Sequence, residues 1–438
     1  MTEKKSTASS PSRSPSPHPT HITIVGAGIA GLALALSLDH IHPPVPITIT
    51  ILELRHASDN AAGGFLALAP NALRCLKSIG AYDLIVNQGY QYEDLTFLSS
   101  RNLSKIGTIW NGSRSEYGFP ACRVSRSIVR GTLLDMVKEK GIEVKYGVRV
   151  VGVREDEHTG KVHTSLSDGS TEETDLVVGA DGIHSKLREH VAPDVKPVYS
   201  GQMGIGSTVV RAKLGGWEDG ISLPAMILGK ENSFALFPCT PSADKLSVFA
   251  TVEACDRSRE QWETLSRDKE HLLNMFQDRH VDEDWPEVVK RAVEGVDVER
   301  LSLWPFYKVP VLERWASKSG RVLLVGDAAH GIPPTGGQGA AMALEDAASL
   351  AQVIARNAEK GFCWKKWRDE LSSWEARRKE RVQKVVKFTG KGGDIRKRSV
   401  GWLQQVTKEW AMWAYFWWTG KSMGLSWLYG HEVEKEVA

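Results

Sequence analysis

The period of the hydrophobic positions changes several times along this chain, and each change predicts an element. An apolar run, Ile22 to Val25, stops at a glycine-rich turn and is followed by the apolar stretch Leu32 to Leu38. This predicts a buried strand, a tight turn and a helix. A second apolar strand, Ile47 to Leu52, ends on Glu53. Further helices are predicted near 70–79 and over Ser127–Lys140, and 95–120 reads as β-rich loops. Strands near 142–153 and 161–166 flank the turn Asp156–Gly160, and Leu176-Val177-Val178 runs into Gly179-Ala180-Asp181-Gly182. From about 197 to 305 the pattern alternates, with strands near 205–213, 224–229, 233–238 and 246–253, which predicts a separate antiparallel sheet. A helical region with Trp262 and Phe276 interrupts it. A buried strand returns at Arg321–Val325, and a long helix follows from about Gly339 to Ala358. After 362 the chain is helical, basic, then Trp-rich.

Composition narrows the class. The chain has 438 residues, 42% of them hydrophobic, enough for a full α/β core in two or three domains. The net charge of +2 conceals no basic stripe, which argues against nucleic acid as a partner. The five cysteines have no metal-ligand spacing and suit a reducing compartment, so a cytoplasmic location and no metal are expected. Residues 1–20 are rich in Ser, Pro and Thr, lack an apolar signal region and read as a disordered tail. No run of about twenty apolar residues predicts a membrane span.

The first turn carries the most chemistry. Gly26-Ala27-Gly28-Ile29-Ala30-Gly31 follows a strand and opens a helix. Gly26 permits the turn, Gly28 leaves room for a pyrophosphate, and Gly31 allows close helix–strand packing. The helix N-terminus offers free N–H groups to phosphates. Glu53 stands about 20 residues on, where an acid binds ribose hydroxyls. Three later segments suit a flavin dinucleotide. Asp181-Gly182 follows a buried strand and can serve a phosphate-binding loop. In Gly326-Asp327, the carboxylate can accept from a polyol hydroxyl. Pro333 to Ala340, with Gly337 and Gly339, makes a wide turn before a helix whose positive end can face a flavin ring.

On these residues, with Gly63-Gly64, Pro70-Asn71-Ala72 and Arg126, the chain resembles the FAD-dependent monooxygenases related to para-hydroxybenzoate hydroxylase and salicylate hydroxylase. Its general style is similar to fungal secondary-metabolism members. The resemblance spans roughly residues 20–355. It implies a Rossmann-like FAD-binding domain with a parallel sheet, an antiparallel-sheet substrate domain and a helical C-terminus. The implied division is 1–20 tail, 21–196 and 306–360 FAD-binding, 197–305 substrate domain, and 361–438 a Trp-rich helical region. It also implies NADH or NADPH as co-substrate. O2 would give a flavin C4a-hydroperoxide that donates one oxygen atom to an aromatic or polycyclic small molecule by hydroxylation, epoxidation or Baeyer-Villiger-type insertion. By resemblance Glu53 holds the adenosine ribose, Asp327 the ribitol and Arg126 the flavin side. Gly64 and Asp181 belong to cofactor loops, and Gly337, Gly339 and Ala340 border the ring.

Other readings stay open on the sequence. A flavin oxidase or halogenase could share the fold, although the Trp-x-Trp-x-Ile pattern of halogenases is missing. A non-enzymatic FAD-binding regulator is the third class. No catalytic base is assigned: His184 and His330 lie inside cofactor motifs. Many phenol-hydroxylating relatives hold an acidic substrate with an arginine in a Gly-x-x-x-x-Arg pattern. Here Gly206 stands in that place and Arg211 lies five residues on. The expectation is a vacated space for a bulkier, more neutral substrate. Trp410, Trp413 and Trp417 share one helix face, which predicts packing on the body; a pocket wall or an interfacial membrane contact are the alternatives.

Overall fold

A computed structural model describes residues 19–42, 46–59, 64–215, 221–230, 232–280, 285–395 and 401–437. The expected tail lies outside these as far as residue 18. Its last residue, Thr20, is fixed: its N–H and hydroxyl both donate to Asp175 Oδ2, at 3.0 and 3.2 Å.

The apolar runs build a five-stranded parallel sheet in the order Val322–Leu324, Leu176–Gly179, His21–Val25, Thr48–Glu53, Glu143–Tyr146. Both faces are covered, so these strands carry continuous rather than alternating apolar residues. The helix Ile29–Ile41 is apolar on every side because it is buried between this sheet and the helix Gly339–Glu359. The latter is also buried nearly throughout, and it contains Glu345 and Asp346 with no exposed surface.

The second large sheet has seven strands: Ser302–Lys308, Val198–Val210, Lys245–Glu253, Ser233–Pro238, Ala225–Leu228, Asp94–Ser99 and Lys105–Trp110. It is wider than the alternating stretch 197–305. Two strands come from far upstream, and Asp94–Ser99 pairs parallel with Ala225–Leu228. The strand expected near 205–213 runs over Val198–Val210 instead, and a 3-10 turn begins at Arg211. One face of this sheet is covered by the helices Arg259–Arg267, Lys269–Gln277 and Glu287–Glu294, through Trp262, Phe276 and Val289. The other face looks toward a small sheet of Phe65–Leu68, Ala121–Ser125 and Tyr90–Tyr92.

The C-terminal part is helical, as expected, with long helices Trp364–Ile395 and Trp402–Thr419. The second lies on the strand Lys105–Trp110, where Phe416 stacks on Phe97 at 5.3 Å. Its inward face is Gln405, Glu409, Met412 and Phe416, not the tryptophans. Trp427 sits apart in the short helix Ser426–Tyr429. Among the described residues no helix is long and apolar enough to cross a membrane.

Candidate functional site

The first glycine turn is fixed by its backbone. Gly26 has φ +107°, and a Cβ there would lie 2.5 Å from Ala180 O; one on Gly31 would lie 2.0 Å from Gly26 O. Neither space admits a side chain. A Cβ on Gly28 meets nothing within 4 Å. The helix that starts after it has no side-chain cap and no acid in its first turn. Its N–H groups therefore face open space of the kind a pyrophosphate fills.

Glu53 ends its strand beside this turn. Its carboxylate accepts from Ala27 N–H at 2.7 Å and from Arg55 N–H at 2.9 Å. It braces the turn and keeps lone pairs for ribose hydroxyls. Arg130, which the sequence reading did not single out, donates from Nε to Ala27 O at 2.9 Å and holds the turn from the other side. We expect Glu53→Gln to weaken FAD binding tenfold or more, because a charge-assisted bond contributes about 1.5–3 kcal/mol. An unchanged dissociation constant in flavin fluorescence titration would remove Glu53 from the site.

Two more loops leave the C-terminal ends of neighbouring strands. Asp181 Oδ2 accepts from the N–H groups of Lys186 and Leu187 and so caps the helix Lys186–Val191. Burial pushes its carboxyl up, against the opposing effect of the Ser185 hydroxyl and the Lys186 and Leu187 N–H groups. Asp327 opens the turn after Val322–Leu324, and its carboxylate lies within the field of the Arg188 guanidinium. Arg188, fully buried, donates to Ala328 O at 3.0 Å and to Ile183 O, clipping these two loops together. The third loop reaches the helix Gly339–Glu359, again without a side-chain cap or an acid in its first turn. Gly337 has φ +64°, Cβ atoms on Gly337 and Gly339 would meet nothing, and Ala340 lies in the first turn. Two uncapped helix ends and open glycines fit a flavin dinucleotide.

Behind this loop lies a network of buried charges. Asp346 accepts from Gly326 N–H (2.9 Å), His330 Nε2 (2.7 Å) and Arg378 Nε (2.9 Å). Glu345 accepts from Arg378 Nη1 (2.9 Å), Arg381 Nη2 (3.0 Å) and Asn71 Nδ2 (2.8 Å). His330 is thereby occupied as a structural partner. Burial alone would raise the Glu345 carboxyl, but Arg378 and then Arg381 outweigh it and hold it at about 2. An acid with a depressed folded-state value stabilises above its unfolded value of about 4.3 and loses that contribution as pH falls toward about 2. The melting temperature should therefore fall through this window more steeply in the parent than in Glu345→Gln. Equal slopes in a pH series of thermal melts would contradict the assignment.

The substrate side departs from expectation. The space beside Gly206 is filled: a Cβ there would lie 3.3 Å from Trp304 Cη2 and 3.5 Å from Phe249 Cδ2. Trp304 and Phe249 stack at 5.2 Å with 15° between planes. The glycines at 204 and 206 make room for these rings rather than for a ligand. Arg211 is no clamp beside them; it lies five residues along the chain, about 16 Å away in an extended strand. Trp304 also reaches Gly64, whose Cβ would lie 3.3 Å from the ring, and Gly64 O accepts from Arg126 N–H at 3.0 Å. Gly64 and Arg126 therefore meet the aromatic face at one place. The Arg126 side chain is exposed and has no partner among the described residues.

Arg123 is the functional candidate that sequence reasoning missed. It projects from the small sheet, with its guanidinium 4.9 Å from the Phe237 ring centre and 5.8 Å from that of Phe65. Its Nε donates to Ser247 Oγ at 3.2 Å. Burial pulls its pKa below the ordinary value, and it has no carboxylate partner among the described residues. A cleft of about 270 Å³ lined by His184, Arg259, Trp262 and Tyr307 lies on the far face of the strand Ser302–Lys308, away from Trp304. His184 belongs to that surface.

A family model described as FAD binding domain matches residues 19–389. The 6-hydroxynicotinate 3-monooxygenase of Bordetella bronchiseptica is 27% identical over 337 residues, 74% of this chain and 80% of that protein. A solved salicylate hydroxylase substrate complex superposes with a TM-score of 0.75 at 21% identity, covering 96% of this chain and 98% of the other. Klebsiella pneumoniae HpxO, complexed with FAD and uric acid, gives a TM-score of 0.72 at 23% identity, covering 90% and 93%.

Proposed function

Since the chain belongs to the FAD binding domain family and is an FAD-dependent monooxygenase, we propose that it transfers one oxygen atom from O2 to a phenolic aromatic or polycyclic ring. NADH or NADPH would supply the electrons, in a setting of cytoplasmic secondary metabolism. The observation that carries the reading is the meeting of two surfaces at Gly64: a cradle that fits FAD, and the stacked Trp304–Phe249 face with Arg123 on the opposite sheet.

FAD, when bound, supplies the oxygen chemistry; the protein binds, orients and excludes water. The Gly26–Gly31 turn would receive the pyrophosphate, Glu53 the adenosine ribose, and Asp327 the ribitol. Asp181 steadies the adjoining loop. Gly337, Gly339 and Ala340 border the ring at a positive helix end, and Arg126 closes its flank. The aromatic face of Trp304 and Phe249 stacks a planar substrate. Arg123 takes its oxygen, because a half-buried guanidinium with one neutral partner is stabilised by an anionic acceptor. The site thus favours an ionisable hydroxyl on an extended ring. The space beside Gly206 holds Trp304, so no vacated volume there admits a bulkier, neutral substrate.

The test is substrate-stimulated NAD(P)H oxidation across polycyclic phenols, hydroxybenzoates and rings without an oxygen. Phenols of two or more fused rings should stimulate most. Arg123→Met should raise KM for them about tenfold or more, the value of one lost charge-assisted bond, with flavin occupancy unchanged. Equal stimulation by rings that lack oxygen, or an unaltered KM, overturns the reading.

A further inference from the structure

We infer that the outer face of the helix Trp402–Thr419 docks the enzyme on an anionic lipid surface. The helix is already satisfied on its inner side. Glu409 pairs with Arg101 at 2.8 Å and accepts from Ser99 at 2.9 Å, while Phe416 fills the space over Gly107. Its outer side is nevertheless apolar. Trp410, Trp417 and Trp418 are 64%, 78% and 84% exposed, and Leu403 and Trp413 join them. Glu409 is the helix's one acid and it points inward, so the outer face has no carboxylate.

Side-chain type indicates what covers this face. Indoles carry an apolar ring and one N–H donor, and they collect at the headgroup level of bilayers. An 18-residue helix lying in the interface plane, with one face on the protein body, needs no spanning segment. Charge selects the kind of lipid. Residues 384–421 hold eight lysines and arginines against two acids, leaving forty-seven against fifty-one in the rest of the chain. Lys384 and Lys387 are exposed, as is Lys421, which pairs with Asp94 at 2.6 Å. Anionic headgroups neutralise exposed lysines such as Lys384 and Lys387, which a second copy of the same charge would not.

The test uses the full-length, FAD-loaded protein with vesicles of phosphatidylcholine alone or mixed with phosphatidylserine. The parent should co-sediment with the mixed vesicles about tenfold more strongly than with the neutral ones, and raised salt should release it. The triple variant Trp410→Ser, Trp417→Ser, Trp418→Ser should bind at least about tenfold more weakly. It should keep the parent's flavin absorbance and thermal melt. A parent that stays in the supernatant at low salt overturns the proposal, as does a variant that binds equally. A concentration-dependent dimer that the variant dissolves assigns the face to a second copy and overturns it too.

Discussion

Gly28→Val should give a folded protein that cannot hold flavin. Gly28 has φ −84° and ψ −175°, extended values that suit a β-branched residue, and no neighbour within 4 Å of an added Cβ. The fold therefore tolerates the change. The branched side chain would occupy the volume in front of the first helix end, where the phosphates must lie. Two charge-assisted bonds at about 1.5–3 kcal/mol each are at stake. Their loss, at least about 3 kcal/mol, weakens FAD binding on the order of a hundredfold. Purified Gly28→Val should be colourless, with parent-like circular dichroism. A yellow variant with full FAD content would show that the pyrophosphate lies elsewhere. Gly31→Val is the contrasting case, because its Cβ would strike Gly26 O and the turn itself cannot form.

Arg378→Met should cost about 3–5 kcal/mol, the penalty for leaving a buried carboxylate without its cation. Here the guanidinium serves two carboxylates, Glu345 and Asp346, all with no exposed surface. Methionine fills much of the volume but returns no charge. The melting temperature should fall by several degrees and FAD should dissociate more readily, since Asp346 also holds Gly326 N–H. Arg378→Lys should lie between the two, because an ammonium keeps the charge but cannot reproduce the forked geometry. Thermal melts with flavin release as a second readout decide it; a parent-like melt for Arg378→Met refutes the role.

The cofactor loops were legible because their constraint is local. Gly26 needs a positive φ, Gly31 a close approach, and Glu53 is an acid at the end of an apolar strand. Such demands appear in the letters themselves. The Trp304–Phe249 face was not legible, because it is made by pairings across long sequence separations. Trp304 meets Gly64, Gly204 and Gly206 only once the seven-stranded sheet has formed. The upstream strands Asp94–Ser99 and Lys105–Trp110 join that sheet without a local signal of their partner. Periodicity found the shared face of Trp410, Trp413 and Trp417 but not its direction. Tryptophan reads as core, and the inward positions went instead to Gln405, Glu409, Met412 and Phe416. The adjacent acids Glu345 and Asp346 in the middle of the apolar Gly339–Glu359 helix were the one sign of the buried network, and an arginine-bearing helix downstream was its natural complement.

The strand Val322–Leu324 forms the edge of the parallel sheet beside Leu176–Gly179 and brings Asp327 with it. During synthesis, the ribosome must add well over a hundred residues after the Leu176–Gly179 strand has emerged before that edge can be covered. Until then the nascent sheet presents an unpaired apolar strand, the kind of surface that chaperones hold and that aggregates capture. Flavin loading is therefore expected only after residues 322–327 have joined the sheet. Ribosome-stalled chains ending before residue 320 should capture no flavin, however long they are given.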